Sequence, residues 1–374
     1  MEAGFRPGRV DDSFPVLVAP AGRPDIDARH PGHYTKIGEK VVRVRYNGRR
    51  RRMDFSNFDL AAAVESAYAV IRRDAVRTPL TYSACLSRET GARVFIKWEN
   101  RQTTGSFKFR GALAKVRTLS PAERRRGVIS ASTGNHGLGM ARASRLAGLD
   151  LLLYLPRTAA AEKVEKLRAA GAEVRFRGGS CEKAEEAARR DGRRFGRTYV
   201  SPYNDLDVIA GQGTVGLEIL ADLPAVEDVL VPVGGGGLIA GVAGFLKSKG
   251  RGGRVFGVEP AASAFMKASL RAGRLVEIRE GPTLADAVAG GIEPKSVTFD
   301  FCRRFVDRIL VVGEQRLRRA VGLLFRNEGE IVEGAGALPW AAALKYAPLF
   351  RGRTVVLIAS GGNIAPSVLE KLAG

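Results

Sequence analysis

From Asp59 onward, short apolar runs of strand length alternate with longer segments of helical period, and this alternation restricts the fold more than any other feature. Strands separated by helices pair in parallel and need cover on both faces, so the expected class is α/β, layered around a mostly parallel sheet. Strands read at 94–97, 128–131, 151–155, 173–176, 229–233, 255–259 and 354–359. Helices read at 108–118, 135–146, 160–170, 181–190, 238–246, 314–328 and 338–344. Ligands of open α/β sheets bind at the carboxyl ends of the strands. Every glycine-rich motif is read here as following a strand or opening a helix.

Residues 1–58 depart from that pattern, being rich in Pro, Gly, Asp and Arg with little helical period. They are expected to form a basic N-terminal extension, partly extended or disordered. Inside it, residues 41–46, the pair Asn47-Gly48 and residues 49–53 read as a two-strand hairpin. The consecutive Arg49, Arg50, Arg51 and Arg52 read as a solvated face or dimer contact; the sharper alternative is a grip on an anionic ligand or nucleic acid.

The formal charge is +21 over 374 residues. The arginines are scattered over many helical segments, so the charge speaks to solubility and adhesion, and nucleic acid is not an expected partner. Cys85, Cys181 and Cys302 have no paired spacing, which argues against a disulfide framework or a zinc site. No apolar run is long and charge-free enough to span a bilayer, and no apolar signal core follows the start, so a soluble, cytoplasmic protein is expected.

Two motifs carry chemistry. Lys108 sits in the sequence GSFKFRGA at 105–112, a glycine-flanked aromatic turn before a helix. Gly234, Gly235, Gly236 and Gly237 lie between the apolar run 229–233 and Leu238-Ile239-Ala240, at a strand-to-helix turn where backbone amides can cradle a phosphate. An amine to hold an aldehyde and a nest to hold a phosphate together point to pyridoxal 5'-phosphate and amino-acid chemistry. Read alone, Lys108 is a snorkelling surface lysine and the glycines a linker. The apolar flanks of the glycines argue against the linker.

Six segments occur in one order: TGSFKFRGA at 104–112, STGNHG at 132–137, AGQGT at 210–214, GGGGL at 234–238, EGAGA at 333–337 and SGGN at 360–363. On these the region from Asp59 resembles the fold-type II pyridoxal-phosphate enzymes, in the threonine/serine dehydratase and serine racemase branch. The resemblance implies two open twisted α/β subdomains of the tryptophan synthase beta-like kind with the cofactor in the cleft between them. It assigns 59–120 and 207–374 to a large cofactor-binding subdomain and 121–206 to a small substrate-loop subdomain. It implies that Lys108 holds the cofactor as a Schiff base and then serves as base on the Cα proton, with Phe107 beside the ring. Gly234 to Gly237 with Leu238 would hold the phosphate, Asn135 the ring 3′-oxygen, and Ser360 would face the ring nitrogen. Ser132, Thr133, Gly134 and His136 would grip the substrate carboxylate, His136 serving equally well as a structural histidine. The resemblance further implies a small amino acid as substrate and a homodimer as assembly.

The implied reaction is β-elimination of a β-hydroxy amino acid, threonine or serine in type, to a 2-oxo acid and ammonia. Racemisation is an alternative, with Thr133 where serine racemases place a serine; β-replacement is another. Thr103-Thr104-Gly105 and 282–286 (PTLAD) are similar to the dehydratases of hydroxyectoine utilisation, which brings in a modified hydroxy amino acid or hydroxyaspartate as substrate. Asp286 is then a candidate substrate contact or, equally, a helix cap, and Asn204 a further cavity candidate. No metal is expected: Glu259, in Glu259-Pro260, matches one ligand of the family's divalent site, but Phe265 stands where its acidic partner would be. The chain closes soon after Asn363, so no amino-acid-sensing domain of the biosynthetic threonine dehydratase kind is expected.

Overall fold

The apolar runs pair into two separate sheets. In a computed structural model, which describes residues 58–251 and 253–373 and the backbone of three earlier strands, the larger sheet has six strands. Their order is Arg308–Val312, Arg254–Pro260, Asp228–Pro232, Thr354–Ala359, Arg93–Trp98, Leu80–Tyr82. All neighbours are parallel except the last pair, so the antiparallel strand lies at an edge. The smaller sheet is wholly parallel, in the order Glu173–Phe176, Leu151–Leu155, Val128–Ala131, Thr198–Tyr199. Every residue of Val128–Ala131, Leu151–Leu155, Asp228–Pro232 and Thr354–Ala359 is buried, which is why these strands read as unbroken apolar runs. No helix among the described residues is long and apolar enough to cross a membrane.

The early strands are His33–Ile37, Lys40–Tyr46 and Met53–Asp54, an antiparallel set with Tyr46 opposite Met53. The described part of the return strand is Met53–Asp54. The Asn47-Gly48 pair and the four arginines lie outside the described residues.

One motif reading is corrected. Residues 210–214 (AGQGT) neither follow a strand nor open a helix; they lie inside the helix Leu206–Asp222. Their glycines serve close packing: a Cβ on Gly213 would stand 2.4 Å from Val64 Cγ2, and one on Gly241 of the neighbouring helix 2.3 Å from the Ile209 carbonyl. The helices Lys108–Thr118, Leu206–Asp222 and Gly237–Ser248 therefore pack backbone to backbone beneath the cavity. Beside them lies a buried ion network, in which Arg110 donates to Glu99 and Glu218, and Lys97 to Glu218 and the Thr78 carbonyl.

Candidate active site

A cavity of about 530 Å³ is lined from both sheets. Its walls hold Ser132 beyond Val128–Ala131, Pro156 beyond Leu151–Leu155, Gly234 beyond Asp228–Pro232 and Ser360 beyond Thr354–Ala359, all carboxyl ends of parallel strands. Five helices start at this wall: Lys108–Thr118, Asn135–Ala147, Ala161–Ala169, Gly237–Ser248 and Gly334–Lys345. None of the five has a side-chain cap at its N-terminus. Elsewhere Asp59, Ser83, Ser120, Ser180 and Asp205 cap their own helices. The first amides of a helix lack partners within it, so uncapped starts facing one cavity make it receptive to anions.

One reading from sequence changes here, Asn204, and Glu259 finds a structural role. Asn204 does not line the cavity; its Oδ1 accepts the Val297 N–H at 2.8 Å, at the start of Val297–Phe305. Glu259 accepts the N–H groups of Met266 and Lys267 at 2.8 and 2.9 Å, at the start of Phe265–Ala272. Both act as distant helix caps. Burial raises the Glu259 carboxyl to about 7, with those two amides opposing it. Among the described residues no group of three or more His, Cys, Asp or Glu side chains is arranged to hold a metal.

Lys108 lies half-buried in the cavity wall. Its Nζ donates to the Pro202 carbonyl at 2.8 Å and lies 5.1 Å from the Phe107 ring centroid. Burial lowers its pKa to about 8, partly opposed by Glu333. Its helix is anchored at the entry: Phe107 N–H donates to Ser360 O at 3.1 Å, and Gly362 N–H to Gly105 O at 2.9 Å. Amine and serine are thereby held on adjoining turns.

The other predicted residues, Asn204 apart, converge. Phe107, Ser132, Thr133, Gly134, Asn135, His136, Gly234, Gly235, Gly236, Gly237, Leu238, Asp286 and Ser360 all line the cavity. Gly235 must be glycine because a Cβ there would meet the Tyr203 ring at 2.4 Å. The loop is braced from behind by Thr298, whose Oγ1 donates to Gly235 O at 2.6 Å. His136 Nε2 lies 3.1 Å from Ser130 Oγ, whose hydroxyl already donates to Val200 O, so the ring nitrogen is the donor and Nδ1 is left unprotonated. That Nδ1 is buried without a protein partner. Burial, and then Lys108, push the His136 pKa down to about 3, so the ring is neutral. Asp286 is exposed at the mouth and paired with Lys163 at 2.9 Å.

Sequence reasoning passed over Glu333 and Tyr203. Glu333 Oε1 accepts from Asn135 Nδ2 at 2.6 Å, and burial, then Asp286, raise its carboxyl to about 7. It was visible as the first residue of EGAGA but carried no assigned role. Tyr203 adjoins Asn204 in sequence and takes the place in the wall that Asn204 was expected to fill.

A lysine, a glycine turn with open amides and a serine at a strand end fit an aldehyde, a phosphate and a pyridine. The family model for pyridoxal-phosphate dependent enzymes matches residues 71–361. The chain belongs to that family. L-threonine ammonia-lyase of Thermotoga maritima is 42% identical over 309 residues, 83% of this chain and 77% of that protein. Maize serine racemase superposes with a TM-score of 0.79 at 30% identity, covering 83% of this chain and 95% of that one. The processed form of threonine deaminase isoform 2 from Solanum lycopersicum gives 0.77 at 33% identity, covering 83% and 93%. These place the pyridoxal-phosphate enzyme described here in the threonine/serine dehydratase and serine racemase branch, with the fold-type II architecture and pyridoxal 5'-phosphate as cofactor.

Proposed function

We propose that the chain is an ammonia-lyase that eliminates water from a β-hydroxy amino acid of the threonine or serine type and releases a 2-oxo acid and ammonia. The observation that carries this reading is Lys108, a cavity amine brought down to about 8 and held by a carbonyl rather than a carboxylate. When bound, pyridoxal phosphate draws off the electron pair left on Cα as its proton departs. Lys108 would hold the cofactor through Nζ and, when freed by the substrate amine, would accept the Cα proton at that atom. Gly234, Gly235, Gly236, Gly237 and Leu238 offer open amides to the phosphate, with Tyr203 and Thr298 fixing the turn.

Asn135 would donate to the ring oxygen of the bound cofactor and Phe107 would pack beside the ring. Ser360 would offer the ring nitrogen a hydroxyl, which does not favour its protonation as a carboxylate would. Ser132, Thr133 and Gly134 hold the substrate carboxylate at the uncapped start of Asn135–Ala147. Neutral His136 braces that turn through Ser130. Residues 59–120 with 207–374 form the cofactor side and 121–206 the substrate side, a division supported by each having its own sheet. The working form is a homodimer, as the motif resemblance implies, and its place is the cytoplasm, as the sequence reading expects.

The test is release of ammonia and 2-oxo acid from the loaded protein with L-threonine, L-serine, 3-hydroxyaspartate and a hydroxyectoine-derived amino acid. Equal release of both products, lost in Lys108→Ala, is the expected result. Cofactor binding without release from any of them contradicts the reading. Chirality of the recovered amino acid, read in the same assay, separates racemisation at Thr133.

A further inference from the structure

Asn135 is flanked by two side chains that fix which end of its amide points where. Its Nδ2 donates to Glu333 Oε1 at 2.6 Å, and its Oδ1 accepts from Asn363 Nδ2 at 2.6 Å. Asn363 is oriented in turn, because the same Nδ2 donates to the Thr104 carbonyl at 2.9 Å, a group that only accepts. Direction therefore passes from a fixed backbone oxygen, through Asn363, to Asn135 and Glu333. An amide nitrogen carries two hydrogens, so Asn135 keeps one N–H after serving Glu333, whereas its oxygen is already engaged. Asn135, Glu333 and Asn363 all line the cavity that contains Lys108.

Glu333 is held where it can do this. Its N–H donates to Gly361 O at 3.0 Å. A Cβ on Gly361 would stand 2.6 Å from Glu333 Oε1, so the glycine of the SGGN turn is what admits the carboxylate.

We propose that Glu333 and Asn363 are positioning residues that lock the polarity of Asn135, so that its amide presents an N–H and never its oxygen to the ring oxygen of pyridoxal phosphate. The proposal rests on the role given to Asn135 above. A ring oxygen that carries negative charge is matched by a donor, while an amide oxygen turned towards it would oppose two acceptors and cost binding. Burial and Asp286 raise Glu333, and Asn135, Lys163 and Lys108 oppose them. Ionised or neutral, the carboxyl keeps an oxygen that accepts from Asn135, so the lock works on both sides of neutrality.

The test is titration of the apoprotein with pyridoxal phosphate, followed by the visible absorbance of the bound cofactor. Asn363→Ala and Glu333→Ala are each expected to weaken binding about tenfold, the factor that ~1.4 kcal/mol produces, and to shift the absorbance. Glu333→Gln keeps an acceptor and is expected to bind like the parent. Asn363→Asp keeps the shape but sets an acceptor against Asn135 Oδ1, so it should lose at least as much as Asn363→Ala; it serves if an alanine variant fails to fold. In an Asn135→Ala background none of these changes should weaken binding further. Equal losses in that background, or a Glu333→Gln as damaged as Glu333→Ala, overturn the lock. The readout is binding, so failure of the lyase reading, seen as normal binding without product, stays distinct from failure of the lock.

Discussion

Lys108 and Arg110 stand two residues apart on one helix, and their surroundings treat them oppositely. Arg110 is fully buried against Glu99 and Glu218; burial opposes its charge, and the two carboxylates outweigh it and hold the guanidinium well above its ordinary value. Further along, Lys115 pairs with Asp205 and Asp207 at 2.8 and 2.9 Å, and these too outweigh burial and raise it. Lys108 meets a backbone carbonyl instead, and burial lowers it to about 8. Burial with opposite charge fixes a cation as structure; burial without it leaves an amine ready to react.

The largest expected effect breaks the reactive end. Lys108→Ala should cut product release more than ~10³-fold, as loss of a covalent nucleophile does, while far-UV circular dichroism stays unchanged. The structural end should fail in the other way. Arg110→Ala leaves Glu99 and Glu218 facing each other without their shared partner, an expected loss of about 3–5 kcal/mol in urea unfolding. If that variant unfolds like the parent, the network is not the anchor of this helix.

Much of this contrast was hidden in the sequence. The strands 128–131, 151–155 and 354–359 were legible to the residue because two-sided burial writes them as apolar runs, and 173–176 because its charged and apolar residues alternate with a period of two. The helix Leu206–Asp222 was not, since Gly211, Gly213 and Gly216 weaken its local preference and only close packing explains them, Gly211 against Arg110 and Ala114, Gly213 against Gly241 and Gly216 against Val242. Leu60–Ile71 and Val297–Phe305 were also unread. The cavity's lysine, glycine turn and strand-end serine were legible as motifs. Arg110 lay inside the first motif, yet its partners come from positions 99 and 218, and no local pattern joins them. Asn204 misled because a polar side chain beside a motif reads as a site, whereas it caps a helix across a sequence gap, as Glu259 does too.

Smaller effects sharpen the comparison. Gly235→Ala should weaken cofactor binding about tenfold, or ~1.4 kcal/mol, because the new methyl must displace the Tyr203 ring. Proton linkage should separate the two lysines. With a folded value of about 8 against an ordinary 10.5, Lys108 binds fewer protons folded than unfolded between those limits, so this group makes apoprotein stability rise with pH across that window. Lys108→Ala should remove that rise, whereas Lys115, whose folded value is raised, contributes with the opposite sign. Least of all, Lys163→Ala removes a pair that is about half exposed at the mouth and should change stability by less than ~1 kcal/mol.

The most direct measurement is borohydride reduction of the protein loaded with pyridoxal phosphate, followed by peptide mapping of every lysine. The account predicts one reduced adduct, on Lys108, with Lys97 and Lys115 unmodified because their amines are held by carboxylates. An adduct elsewhere with Lys108 unmodified would contradict it, since the buried amine without a carboxylate would then not be the one that holds the cofactor.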